Sequence, residues 1–121
     1  MARFWKPLSV LSLAACARAS GPAAPSGEAY VRGPVASFTH HATASSLVVR
    51  PGPGSRETCG IAATVDARTR YLQRGPSGGL APIARSAVTV GDTVEVYVEG
   101  PVAESCPVQA YAPAVVLVTR P

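Results

Sequence analysis

The stretch DTVEVYVEG, residues 92–100, alternates without a break. Val94, Val96 and Val98 fall on one side of an extended chain, and Thr93, Glu95, Tyr97 and Glu99 on the other. A period of two fits a β-strand and not a helix, and its apolar half implies one buried face and one solvated face. Val90-Gly91-Asp92 just before it reads as a tight turn, because Gly takes positive φ without strain and Asp bonds nearby backbone.

The rest of the chain after Glu28 carries the same signature in shorter pieces. Apolar and β-branched runs cut by Gly, Pro and Asp suggest strands at Tyr30 to Thr39, at Leu47 to Val49, through Cys59, Ile61, Ala63 and Val65, and at Ala114 to Thr119. Pro34 requires an edge or a bulge in the first of them, since it has no N–H to give a ladder. No window holds helical periodicity over three turns, so the expected class is all-β. Arg68 to Ser86 is rich in Gly and Pro and is expected as a partly ordered surface loop. Five short strands with one long connection between the third and fourth fit a small five-stranded OB-like Greek-key barrel, with a sandwich as the second choice.

The first twenty residues, MARFWKPLSVLSLAACARAS, place Arg3 and Lys6 before an apolar run from Leu8 to Ala15, followed by small residues. That order is a secretory signal, and the run falls well short of the roughly 20 apolar residues that span a bilayer. Leu13-Ala14-Ala15-Cys16 resembles the bacterial lipobox at every position. The resemblance implies cleavage before Cys16, a diacylglycerol on its sulfur and an acyl chain on the new amino terminus. At about 0.8 kcal/mol per buried methylene, two or three chains hold a small domain on a membrane for long periods. The alternative is Ala17-Arg18-Ala19, a site for ordinary signal peptidase that would release a soluble protein starting at Ser20 and lacking Cys16.

These signals divide the chain into a lipoprotein signal peptide at 1–15, a lipidated Cys16 with a Pro/Ala-rich tether at 16–27, and a β-barrel domain at 28–121. The tether has too little apolar bulk to offset the entropy of ordering it. A domain of this size buries only about 60 to 65% of its unfolded surface and gains from a covalent staple. Removal of Arg3 and Lys6 with the leader lowers the formal charge from +4 to +2, so the computed basicity does not argue for a polyanion partner. Every remaining basic residue is Arg.

Cys59 and Cys106 are the cysteines left once Cys16 is set aside, and in an exported protein an even pair is normally a disulfide. Closing a loop of about 48 residues stabilises by about 4 kcal/mol in the chain-entropy model. A thiol enzyme would pair Cys106 with His40 or His41 as base, but no catalytic signature surrounds either cysteine. Zinc held by Cys59, Cys106, His40 and His41 fails on spacing, because adjacent histidines on a strand point apart. Glu95 and Glu99 share a strand face and read as surface charges. Single-strand nucleic-acid binding would use Tyr71, Tyr97 and Tyr111 with Arg68, Arg70 and Arg74, as OB folds stack bases over a basic groove. Export away from the cell's nucleic acid and the small mature charge argue against it.

VGDTVEVYVEGPVAESCPVQAYAPAVVLV resembles the C-terminal half of an uncharacterised family of small exported bacterial proteins with an OB-like barrel, many of them lipoproteins. There a VGD-type turn leads into a strand ending in Gly, then an E-S-Y-P-x-Q-A stretch and the last strand. The matching positions are Glu104, Ser105, Pro107, Gln109 and Ala110, with Cys106 in place of the family's Tyr. Gly33-Pro34-Val35 and Leu47-Val48-Val49 extend the similarity to the first two strands. The resemblance implies a fold more than an activity.

Taken together, the expectation is a lipid-anchored cell-envelope protein, on the outer membrane in a Gram-negative cell since Ala17 is not the Asp that retains lipoproteins inside. Its domain would be binding or structural, without catalytic residues, metal or cofactor. Its partners would be the membrane and an unidentified envelope protein or ligand, met through the Tyr97 face or the Arg68 to Arg85 loop. The second reading is a secreted or periplasmic soluble OB-type protein that binds an oligomeric or anionic ligand.

Overall fold

The alternating segment anchors the architecture. In a computed structural model that describes residues 23–121, it lies within a strand of Thr93–Ala103, and Val94 and Val96 are fully buried. The expected leader and Cys16 lie outside the described residues. Seven strands form: β1 Val31–His40, β2 Ser45–Val49, β3 Ile61–Val65, β4 Arg70–Arg74, β5 Leu80–Pro82, β6 Thr93–Ala103 and β7 Val108–Thr119. Among the described residues the protein is all-β apart from a single turn of 3-10 helix at Arg85–Ala87.

The strands pair in the order β3-β2-β1-β6-β7-β4-β5, and β3 also pairs with β7. That second pairing partly closes the sheet into a ring of five strands, β1, β2, β3, β7 and β6. All contacts in the ring are antiparallel except the seam, where Ile61–Thr64 runs parallel to Val108–Tyr111. The all-β expectation holds, and the sheet partly closes in a ring, but it has seven strands rather than the expected five.

The additional strands correct the reading of Arg68 to Ser86 as a loop. β4 lies parallel to β7 with Arg70 opposite Ala114 and Leu72 opposite Val116, and β5 pairs back onto β4. β3 and β4 therefore line the same edge of β7 in succession, separated by the Asp66–Thr69 turn. The Thr69 hydroxyl seals the gap by donating to the Ala112 carbonyl at 2.8 Å. The physical cause is β7 itself. Ala114, Val115, Val116 and Leu117 are all buried, so β7 is apolar on both faces and needs cover outside the ring as well as inside.

Inside the ring, Val31, Leu47, Ile61, Val94, Val96 and Leu117 form the centre of the main core, and Tyr71 of β4 reaches into it. Outside, Leu72, Tyr97, Ala114 and Val116 make a second, smaller cluster, joined by Ala29 and Leu80. Burying each large aliphatic side chain contributes about 1.5–3 kcal/mol.

Three local features follow from residue chemistry. Pro34 lies just before a bulge between Val35 and Ser37 in the β1–β2 ladder, and its carbonyl accepts the Arg50 N–H at 3.0 Å. Gly33 is needed because a Cβ there would run into the Arg50 carbonyl oxygen. In the turn before β6, Gly91 has φ of 95° and the buried Asp92 bonds backward, its Oδ2 accepting the Thr89 N–H at 2.9 Å and the Thr89 hydroxyl at 3.3 Å. Arg120, near the C-terminus, approaches the same carboxylate at 3.7 Å.

Candidate functional site

The outward face of β1, β6, β7 and β4 carries most of the side chains singled out from the sequence. Register places Leu72, Val116, Glu95 and Arg32 in one row across the four strands, and Arg70, Ala114 and Tyr97 in the next. Glu95 takes hydrogen bonds from two strands and an ion-pair contact from a third. Arg74 Nη2 reaches its Oε1 at 2.8 Å, the Tyr97 hydroxyl donates to the same oxygen at 3.2 Å, and Arg32 Nε stands 3.4 Å from Oε2.

Glu95 is therefore not the solvated surface charge that alternation suggests. Its side chain is only 15% exposed. The hydrogen bond to Glu95 raises the pKa of Arg74, and desolvation, then the Glu95 charge, raises that of Tyr97. These shifts favour a charged Arg74 and a neutral Tyr97, a set of groups that hold one another in place. Tyr97 is itself buried, which corrects the expectation of a fully solvated face on β6. Glu99 stays exposed.

Beside this network lies a cleft of about 230 Å³, lined by Pro25, Ser26, Arg70, Tyr97, Glu99 and Pro113 among others. Its rim is shaped by the start of the described chain, where Arg70 Nη1 donates to the Ala23 carbonyl at 2.9 Å. Ala29 packs on the outer cluster and the Tyr30 N–H donates to the Val96 carbonyl, so residues 23–30 cross the outer face before entering β1. A broader recess of about 420 Å³ follows the β4–β5 hairpin between Gln73 and Ala81.

At the turn from β3 to β4, Asp66 Oδ1 accepts the Tyr111 hydroxyl and the Arg68 N–H, both at 2.9 Å, and the Arg68 guanidinium lies 5.5 Å from the Tyr111 ring centre. Desolvation pushes the Asp66 pKa up, but the Tyr111 hydrogen bond and the backbone and charge of Arg68 outweigh it, so the net shift is downward. Tyr71, Tyr97 and Tyr111 do not form a shared stacking platform. Tyr71 lies in the main core, Tyr97 in the outer cluster, and Tyr111 is engaged with Asp66.

Cys59 and Cys106 sit at disulfide distance, with Cα atoms 5.4 Å apart, inside the usual range for such a bond. Cys59 occupies the turn before β3 rather than the strand expected for it, and the Glu57 carboxylate accepts its N–H at 2.8 Å. Cys106 belongs to Glu104–Pro107, the short link between β6 and β7. The pair sits at the opening of the β3–β7 seam, where the Val108 N–H donates to the Gly60 carbonyl.

The E-S-x-P-x-Q-A pattern resolves into hairpin geometry. The Ser105 hydroxyl donates to the Pro107 carbonyl at 2.8 Å, Val108 and Ala110 are buried, and Gln109 is exposed between Ala62 and Ala103.

His40 is paired with Ser45, which lies opposite Val65, whereas the cysteines adjoin the Ile61 end of β3. Four strand steps, about 13 Å, separate those ends, so the imidazoles and the sulfurs are not neighbours. His40 instead approaches the Ser45 hydroxyl at 3.5 Å and packs against Phe38. Among the described residues, no three His, Cys, Asp or Glu side chains are grouped as metal ligands.

Sequence reasoning overlooked β4, the burial of Tyr97 and the path of residues 23–30. The unbroken apolar run of β7 was the available signal, since both of its faces require partners. Comparison with family models, curated proteins and solved structures found no match.

Proposed function

We propose that this chain is a lipid-anchored cell-envelope protein whose barrel is a non-catalytic binding or structural module. The observation that carries the reading is Leu13-Ala14-Ala15-Cys16, placed directly after a charged and then apolar leader. The close approach of Cys59 and Cys106 supports it, because a stapled domain suits an oxidising compartment. On the outer face Arg70 and Glu99 are exposed and stand outside the Glu95 ion-pair network, which supports a docking surface there. The cleft at Arg70, Tyr97 and Glu99 is the contact region we assign to it.

The experiment is intact-mass analysis of the native protein together with acyl labelling. A chain beginning at diacylglyceryl-modified Cys16, two hydrogens lighter than its reduced form, is expected, and Cys16→Ala should abolish the label. A soluble product beginning at Ser20 would overturn the anchor.

A further inference from the structure

We propose that the side of the domain bearing Arg68 and Arg70 lies against the bilayer and binds the headgroups of anionic phospholipids. The inference rests on Cys16 being the lipid anchor, and it adds which face meets the membrane and what it meets there.

Three observations carry it. The first is reach. The seven residues from Ala17 to Ala23 span at most about 25 Å when fully extended. A folded chain of about 100 residues has a radius of gyration near 13 Å, hence a diameter of roughly 30 Å. With the Ala23 carbonyl bonded to Arg70, a tether this short cannot wrap the domain and bring its far wall to the anchor. The anchor can therefore lie no more than about 25 Å from the wall of the domain that carries Arg70.

The second is the continuity of that attachment. Residues 23–30 are fixed at both ends, by Arg70 at one and by Ala29 and the Tyr30–Val96 hydrogen bond at the other. The path of residues 23–30 across the outer face is therefore held by the fold at both ends.

The third is charge. Arg68 and Arg70 are exposed on the turn before β4 and at its first residue. Among the described residues Arg70 forms no ion pair, and its contact is with a backbone carbonyl. Arg68 lies 3.7 Å from Asp66 and over the Tyr111 ring, yet its side chain is 80% exposed. Asp66 and Glu99 are the acidic groups that temper this patch. Arg18, two residues beyond Cys16, adds a further positive charge along the tether. An arginine beside an anionic leaflet strengthens partitioning about fivefold, and the attraction falls off within a Debye length.

Two measurements test the proposal separately from the anchor. In the first, acylated protein is placed in phosphatidylcholine/phosphatidylglycerol bilayers that contain a gadolinium-bearing headgroup lipid. Amide signals of Ser26–Gly27 and Asp66–Arg70 should broaden while those of β2, on the opposite wall of the ring, stay sharp. Broadening of β2 equal to or greater than that of the Arg68–Arg70 turn would overturn the assigned face while leaving the anchor intact.

In the second, the mature chain with Cys16→Ser is sedimented with phosphatidylglycerol vesicles at low salt. Weak, salt-sensitive partitioning is expected. Arg68→Gln with Arg70→Gln should reduce it more than tenfold, while Arg50→Gln, at the exposed end of β2, should leave it unchanged. Equal losses in both variants, or no partitioning by the parent chain, would overturn the headgroup contact. Partitioning of the parent with an acyl-free native mass would overturn the anchor alone.

Discussion

The Tyr71 hydroxyl is buried without a hydrogen-bond partner in the main core, and desolvation pushes its pKa up to about 12. In the unfolded chain a tyrosine ionises near pH 10. Folding therefore favours the neutral form, so this contribution to stability is complete below pH 10 and is lost as pH rises towards 12. Chemical denaturation between pH 10 and 12 should show that decline, and Tyr71→Phe should flatten it while leaving neutral-pH stability within about 1 kcal/mol of the parent or above it. Asp66 responds in the opposite direction. Its folded pKa is depressed, so its stabilising effect is present above the ordinary carboxylate range and disappears as pH falls through the lowered value. Tyr111→Phe removes one of the hydrogen bonds responsible and should raise the Asp66 pKa, read from carboxyl-carbon shifts in an NMR titration.

At the scale of elements, β4 is the informative case. Its five residues, RYLQR, contain two arginines and no β-branched side chain, so local preference gives little reason to expect a strand. The reason lies in β7, whose outward Ala114 and Val116 require the cover that Leu72 provides. Leu72→Ala should cost about 2–5 kcal/mol in denaturant unfolding, the range for a truncated core leucine, whereas a residue in a surface loop would cost almost nothing. β6 was legible because its alternation is local. β1, β2 and β3 were legible in outline for the same reason, as was the Gly91 turn. Tyr97 and Glu95 were not, because burial of their face depends on β4 and on residues 23–30, which approach from distant parts of the chain. Of the site, the arginines and Tyr97 could be named from the sequence, but the cleft that joins Arg70 to Glu99 depends on pairing across β7.

For the whole molecule, the β3–β7 seam governs stability. The Cys59–Cys106 pair encloses a sequence separation of 47 residues and sits where that seam begins. Cys59→Ser and Cys106→Ser should each lower stability by about 4 kcal/mol, equivalent to some 15–30 °C in Tm for a domain of this size. The two losses should be nearly equal and the double variant should lose no more than either single, because one bond is removed in all three cases. Clearly unequal losses in a calorimetric comparison would show that the two sulfurs do not act as a pair.

The seam also dictates when the fold can exist. β7 is the last of the seven described strands, and it supplies one edge to β6 and the other to β3 and then β4. A chain delivered from its N-terminus can assemble the β1–β2–β3 meander early, but that meander has no lid until Val108–Thr119 has arrived. Closure then joins segments far apart in sequence, a topology whose folding belongs to the millisecond-to-second range rather than the microsecond range of local folds. A chain truncated before β7 would leave the apolar wall of β1, β2 and β3 open, ready to pair with another chain.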